Sequence, residues 1–262
     1  MLGAIIGDIV GSVYEFGNYR AKDFDPFFHP DAFYTDDTIC TVAVADALIS
    51  NRSPAAVLKD WGRRYWRNGG WGHLFGKWIQ SDSLEPYGSY GNGAAMRVSP
   101  AGFLASTVDE AITLATAVTE VTHNHPEGIK GACATATTIF LARHGIEPDQ
   151  IRKTITLQFG YDLSASTDQI RPHYQFDESC QGTVPQALTC ALEALDFEDA
   201  IRIAISIGGD SDTIGSIAGG IAEARFGIPK DIADQAINYL PQDMKGIVRT
   251  FYAKDFQRKP AT

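Results

Sequence analysis

Apolar residues recur along this chain at the spacing of one helix face. From the start, Leu2, Ile5, Ile6, Ile9, Val10 and Val13 fall on a single stripe, which predicts a buried amphipathic helix at the N-terminus. Three glycines interrupt it, Gly3, Gly7 and Gly11, and each costs about 1 kcal/mol relative to alanine inside a helix. Because they lie four residues apart they share a face, a smooth surface on which a second helix can pack closely.

The same period predicts helices from Thr38 to Ile49, from Ser53 through Trp66 with Pro54 in the first helical position, and from Glu110 to Val121. It continues from Gly128 to Ala142, Val184 to Leu195, Phe197 to Ile207, Thr213 to Phe226 and Asp231 to Leu240, the last closed by Pro241. Strand-like segments are scarce and do not alternate with these helices, which disfavours a doubly wound sheet. The expected fold class is all-α, a compact single-domain bundle of many short helices over residues 1–262. Two stretches rich in glycine and aromatics, Asn68 to His73 and Gly88 to Arg97, read as loops, where ligand contacts tend to sit on a rigid scaffold.

Composition narrows the function classes. Hydrophobic residues at 44% and charged residues at 21% are ordinary for a globular protein and exclude wholesale disorder. With 22 Lys plus Arg against 32 Asp plus Glu, the net charge of −10 disfavours nucleic acid or an anionic membrane as a partner. Cations and small ligands fit better. Cys40, Cys133, Cys180 and Cys190 form no CxxC pair and no metal-finger spacing, so a thiolate zinc site is disfavoured and a reducing cytoplasm is the simplest setting. There is no basic segment ahead of the first apolar run, and no apolar run approaches a membrane span of about 18 residues. Oligomeric state is not legible from this pattern.

The strongest chemical signal is an echo between distant segments, Thr35-Asp36-Asp37-Thr38-Ile39 and Asp210-Ser211-Asp212-Thr213-Ile214. Each opens an apolar helix, where free amides and the helix dipole favour one negative charge. Capping explains one acid per helix, not two. If the segments converge, four carboxylates repel one another unless a cation neutralises them. Carboxylates with threonine hydroxyls suit hard Mg²⁺, Mn²⁺ or Ca²⁺ rather than Zn²⁺, and the donors are numerous enough for two ions. An EF-hand is excluded, since Ile221 stands where the twelfth-position acid belongs.

Weaker signals surround this pair. If the first helix continues, Asp8, Ser12 and Glu15 share a face. Gly91-Asn92-Gly93-Ala94-Ala95 offers clustered amides of the kind that hold phosphate, without the Lys and Ser/Thr of a Walker A loop. In Val121-Thr122-His123-Asn124-His125-Pro126 two histidines lie between helices, suited to ligand contact or helix capping.

Taken together, Gly7-Asp8 with Glu15, Thr35-Asp36-Asp37-Thr38, Gly91-Asn92-Gly93-Ala94-Ala95-Met96-Arg97, Thr122-His123 and Gly208-Gly209-Asp210-Ser211-Asp212-Thr213 resemble the ADP-ribosylglycohydrolase family. The resemblance runs in the family's order over residues 1 to 228. It implies an all-α fold with two Mg²⁺ ions, or Mn²⁺ in some members, held by Thr35, Asp36, Asp37, Asp210, Asp212 and Thr213. It further implies that the loop with Gly91, Asn92, Gly93, Ala94, Met96 and Arg97 holds the diphosphate, that His123 contacts the ligand near the ribose, and that Glu15 approaches the scissile bond. Asp210 is favoured slightly over Glu15 as the proton-shuttling acid. The substrate implied is an ADP-ribosylated protein or small ADP-ribose conjugate, arginine-linked by slight preference.

Two departures stand out. Ala94 occupies a place where the family often has serine, and the region from Leu163 to Gly182 matches nothing closely, so substrate choice is expected there. Tyr90, Phe176 and Trp71 are candidates to stack on adenine. A non-catalytic ADP-ribose-binding or structural member of the family and a dimetal nucleotide phosphohydrolase remain alternatives.

Overall fold

The glycine stripe of the first helix meets a second glycine stripe more than 200 residues along the chain. The structure, a computed structural model, describes residues 1–254. Its helices are α1 (Leu2–Gly11), α2 (Asp36–Ser50), α3 (Pro54–Arg64), α4 (His73–Gln80), α5 (Gly93–Met96), α6 (Ser99–Leu104), α7 (Val108–Thr119) and α8 (Pro126–Arg143). They continue as α9 (Pro148–Phe159), α10 (Thr167–Ile170), α11 (Cys180–Glu193), α12 (Phe197–Ser206), α13 (Ser211–Phe226), α14 (Lys230–Tyr239) and α15 (Gln242–Tyr252). No strand forms among the described residues. One isolated bridge joins Gly91 to Ser179. The all-α expectation holds.

Helices α1 and α13 run antiparallel at the centre, with Gly3 against Gly219, Gly7 against Gly215 and Gly11 against Ser211. A Cβ added at Gly215 would lie 2.6 Å from the Gly7 carbonyl oxygen, and one at Gly11 would lie 2.5 Å from the Ser211 carbonyl oxygen. Both are far inside van der Waals contact, so only glycine permits this separation. Every residue of α1 is buried, and the surrounding helices close over the pair in a hydrophobic cluster that extends from Met1 to Phe251. The close approach has a functional consequence. It brings Asp8 of α1 beside the first turn of α13.

Where the structure departs from the periodic pattern, capping and packing explain the difference. The first helix stops at Gly11, short of Val13 and Glu15, and residues 12–18 turn instead. There Ser12 Oγ donates to the Ile9 carbonyl at 2.8 Å and accepts from the Phe33 amide at 3.1 Å. Helices α2, α8 and α13 start two residues earlier than their apolar stripes, because their first turns are polar capping residues. Helices α4, α5, α6, α9, α10 and α15 are not announced by the pattern. The stripe of α9 consists of Ile151 and Ile155 alone, and that of α15 of Met244, Val248 and Phe251. Stripes this narrow are masked by polar neighbours.

Candidate metal centre and cleft

Both Asp-Thr-Ile segments sit where their sequence places them, at helix N-termini. Thr35 caps α2, its hydroxyl accepting from the Asp37 amide at 3.2 Å, and Asp36 and Asp37 fill the first turn. Asp210 is the N-cap residue of α13 and Asp212 lies in its first turn. Consecutive Gly208 and Gly209, at φ of 73° and 76°, lead the chain into Asp210 through the left-handed region that disfavours other residues. The two helix starts converge. The Thr213 hydroxyl donates to Asp37 Oδ2 at 3.3 Å.

Asp8 completes the junction. Its Oδ2 accepts from the amides of Thr35 at 2.9 Å and Thr38 at 3.0 Å, while Oδ1 accepts from the Thr35 hydroxyl at 2.7 Å. A carboxylate from α1 thus satisfies the free amides of α2, a use of the positive helix end. No site role is expected for Asp8 from the sequence beyond sharing a face with Glu15. A lone acid between Gly7 and Ile9 on a fully apolar helix was the available signal, since a buried carboxylate must be partnered.

One oxygen each from Asp8, Asp37 and Asp212 lie within 4.8 Å of one another, and so do one each from Glu15, Asp210 and Asp212. Asp212 belongs to both groups. This crowding shows in the proton affinities. Burial, followed by the neighbouring Asp210, Asp36, Glu178 and Asp8, raises Glu15 to about 7. Burial, and then Asp8, raises Asp36 to about 7. Asp8 rises to about 6 through burial, opposed by its hydrogen bonds from Thr38 and Thr35. Asp37 and Asp212 are pushed well above the carboxylate range by burial and by neighbouring acids, Asp8 first for Asp37 and Asp210 first for Asp212. Asp37 Oδ1 is moreover buried without a hydrogen-bond partner. An orphaned carboxylate oxygen among mutually repelling acids fits a hard divalent cation, and the all-oxygen donor set could bind one.

These acids occupy one end of a cleft of about 690 Å³. Glu15, Asp36, Asp37, Asp210, Asp212 and Thr213 line it, together with Gly91, Asn92, Gly93, Met96, Arg97 and His123. Thr35 does not line it. Its hydroxyl donates to Asp8 and accepts from Asp37, which leaves one lone pair free. Glu15 reaches the cleft from the turn after α1 rather than from a continued helix face. Asn92 Nδ2 donates to Asp210 Oδ2 at 2.6 Å and to the Thr183 hydroxyl at 3.1 Å, so its side chain orients an acid instead of facing a phosphate.

The glycine-rich loop is not the free amide cradle that its sequence predicts. The amides of Gly91, Asn92, Ala94, Ala95 and Met96 are bonded to Ser89 Oγ and to the carbonyls of Glu178, Gly91, Asn92 and Asn92 respectively. Ala94 is fully buried and does not line the cleft, which corrects its assignment as a ligand contact. The physical reason is the short helix α5, which turns these amides inward. The two histidines also separate: His125 caps α8 by accepting from the Glu127 amide at 3.1 Å, while His123 faces the cleft.

Among the aromatic candidates, Tyr90 lines the cleft with its ring 5.2 Å from that of His125. Trp71 packs on Trp66 instead, and Phe176 stacks on Phe16 outside the cleft lining. Asp177, Glu178 and Ser179 line it too. These three come from the segment that the sequence matches to nothing, tied to Gly91 and Asn92 by backbone pairing. No helix among the described residues is long and apolar enough to cross a membrane.

Comparison with known proteins places this geometry. The chain is 25% identical to ADP-ribosylhydrolase ARH3 of Mus musculus over 308 residues, covering 87% of this chain and 83% of that protein. It is 26% identical over 269 residues to ADP-ribosylarginine hydrolase Tri1 of Pseudomonas putida (strain GB-1), covering 87% and 70% respectively. A solved structure described as an ADP-ribosylglycohydrolase-related protein complex shares the fold with a TM-score of 0.68 at 23% identity, covering 96% of each chain. The model of the ADP-ribosylglycohydrolase family matches residues 1–260, and the chain belongs to that family of hydrolytic enzymes.

Proposed function

We propose that this protein hydrolyses the glycosidic bond between ADP-ribose and an acceptor with the help of two divalent cations, Mg²⁺ or Mn²⁺. The observation that carries this reading is the pair of carboxylate groups sharing Asp212, Asp8–Asp37–Asp212 and Glu15–Asp210–Asp212, at one end of a cleft. Two overlapping groups suit two neighbouring ions. The residues that would hold them are Asp37, Asp210 and Asp212 from these groups, joined by Asp36, Thr213 and, through its remaining lone pair, Thr35; Asp8, its oxygens already engaged by Thr35 and Thr38, and Glu15 complete the groups as neighbouring negative charge. Bound there, such ions would supply positive charge towards substrate hydroxyls and the activation of a water.

The chain's own groups do the rest. Asp210 takes the proton-shuttling role, its Oδ2 oriented by Asn92 Nδ2. Glu15, with a carboxylate oxygen within 4.8 Å of those of Asp210 and Asp212, is the second candidate for that proton transfer. Buried walls around Asp37, Asp212 and His123 exclude bulk water and strengthen these interactions. The substrate is an ADP-ribosylated protein or small conjugate. Arginine linkage is favoured because the Pseudomonas relative is named for ADP-ribosylarginine.

The test is product analysis by mass spectrometry with arginine-linked and serine-linked ADP-ribosylated peptides, each with Mg²⁺, with Mn²⁺ and with EDTA. ADP-ribose release from the arginine-linked peptide that EDTA abolishes is expected. Asp212→Ala should remove that activity while leaving the helical circular dichroism intact. Full activity of that variant, or phosphate as the only product, overturns the reading.

A further inference from the structure

Arg97 is among the largest fully buried side chains of the protein, 1% exposed, yet it makes no ion pair among the described residues. Its NH2 donates to the Thr122 hydroxyl at 2.6 Å and lies 3.4 Å from His123 Nδ1. The same hydroxyl lies 2.8 Å from His123 Nδ1 and 3.4 Å from the Thr119 carbonyl. We infer that Arg97 and Thr122 lock His123 as the neutral ring with its proton on Nε2, a fixed donor to an anionic oxygen of the ligand, with Arg97 as its positioning residue.

Donor counting leads to this assignment. A guanidinium has five N–H groups and no acceptor. Having accepted from Arg97, the Thr122 hydroxyl directs its own proton to the nearer partner, His123 Nδ1. A proton on Nδ1 would oppose the Arg97 N–H and would force the Thr122 hydroxyl to turn its own proton to the Thr119 carbonyl, at 3.4 Å the longer and weaker contact. An imidazolium would add a second positive charge against the buried guanidinium. Burial and Arg97 accordingly hold the ring well below the ordinary histidine range.

The other titratable groups here do not change the balance. Tyr87 packs edge-on at 5.9 Å from His123, and burial keeps its phenol protonated. Cys40, near Arg97 on α2, stays a thiol for the same reason. Asp36 and Asp37, on the same helix as Cys40, raise its thiol further.

Nε2 then fronts the cleft. A Cβ placed on Gly93 would lie 3.2 Å from it and one on Gly91 3.6 Å, so glycine keeps open the approach to this nitrogen. Nε2 has no protein hydrogen-bond partner among the described residues. With an uncompensated guanidinium behind it, the ring favours a negatively charged oxygen in front. Through its NH2, Arg97 acts on the ligand by way of His123. That the oxygen belongs to ADP-ribose rests on the proposed function; the tautomer does not.

The experiment is long-range ¹H–¹⁵N correlation NMR of the full chain labelled with ¹⁵N-histidine, from pH 5.5 to 8.5, with His123 assigned by its loss in His123→Phe. The Nε2–H pattern, unchanged over the range, is expected. An Nδ1–H pattern, or an imidazolium appearing within the range, overturns the inference whether or not the protein hydrolyses anything. Calorimetric titration with ADP-ribose tests the donor role. Affinity should fall about tenfold or more in His123→Phe. In Arg97→Met, which removes the N–H that opposes a proton on Nδ1, the Nε2–H pattern should give way to a mixture of the two neutral tautomers, and Arg97→Lys should restore it; an unaltered Nε2–H pattern in Arg97→Met removes Arg97 as the positioning residue. Unchanged affinity in His123→Phe refutes the donor role, and because the NMR needs no ligand, that result is distinguishable from failure of the hydrolase reading.

Discussion

Raising the pH of the metal-free protein should destabilise it, and a divalent cation should return what is lost. Asp8 has an ordinary value of 3.8 and stands at about 6 in the folded chain, so the folded state holds that proton more tightly than the unfolded state. Its contribution is therefore fully present below about pH 4 and is lost as pH rises through 6. At about 1.4 kcal/mol for each pKa unit, Asp8 alone accounts for about 3 kcal/mol. Asp36, standing at about 7, extends the loss to pH 8. The acids repel one another, so their losses overlap instead of adding. A loss of about 3 kcal/mol corresponds to a fall in Tm of about 6–12 °C for a chain of this size.

Cation binding works in the opposite direction. At a hundredfold excess over Kd, a bound ion stabilises by about 2.7 kcal/mol, the same order as the repulsion it relieves. The assay is differential scanning fluorimetry of chelator-treated protein from pH 5 to 8, with and without Mg²⁺ or Mn²⁺. The difference in Tm between the two samples cancels acid effects elsewhere on the chain. It should widen as pH rises. A difference that stays constant or narrows towards pH 8, or no response to either ion, would refute the assignment of these acids to a metal centre.

Three further substitutions test how the fold and its site are built. Gly7→Ala should cost about 3 kcal/mol, the upper end of overpacking, in urea denaturation, because the added Cβ meets the Gly215 backbone, and it should weaken Mg²⁺ binding by displacing Asp8 from Asp212. Gly246→Ala on α15, where nothing lies within 4 Å of the added Cβ, should instead stabilise by about 0.4–1 kcal/mol. Asn92→Ala should lower kcat about 10- to 100-fold by freeing Asp210, with little change in circular dichroism; unaltered kcat would remove Asn92 from the positioning scheme.

Helix content, the glycine face of α1 and the two Asp-Thr-Ile helix starts were legible in the sequence, because each is local. Period, spacing and cap chemistry depend on residues within a few positions of one another. The family resemblance added the family itself and about half of the residues that line the cleft. What the sequence alone left open was convergence. Whether Asp37 and Asp212 meet depends on how closely α1 and α13 approach, which two glycine stripes 200 residues apart decide only together. Tertiary structure likewise turned Asp8 from a helix-face residue into the cap of α2, engaged the glycine-loop amides internally, and sent Arg97 to His123. In each case a polar group's role depends on which partner burial leaves within hydrogen-bonding reach, and that partner is remote in sequence.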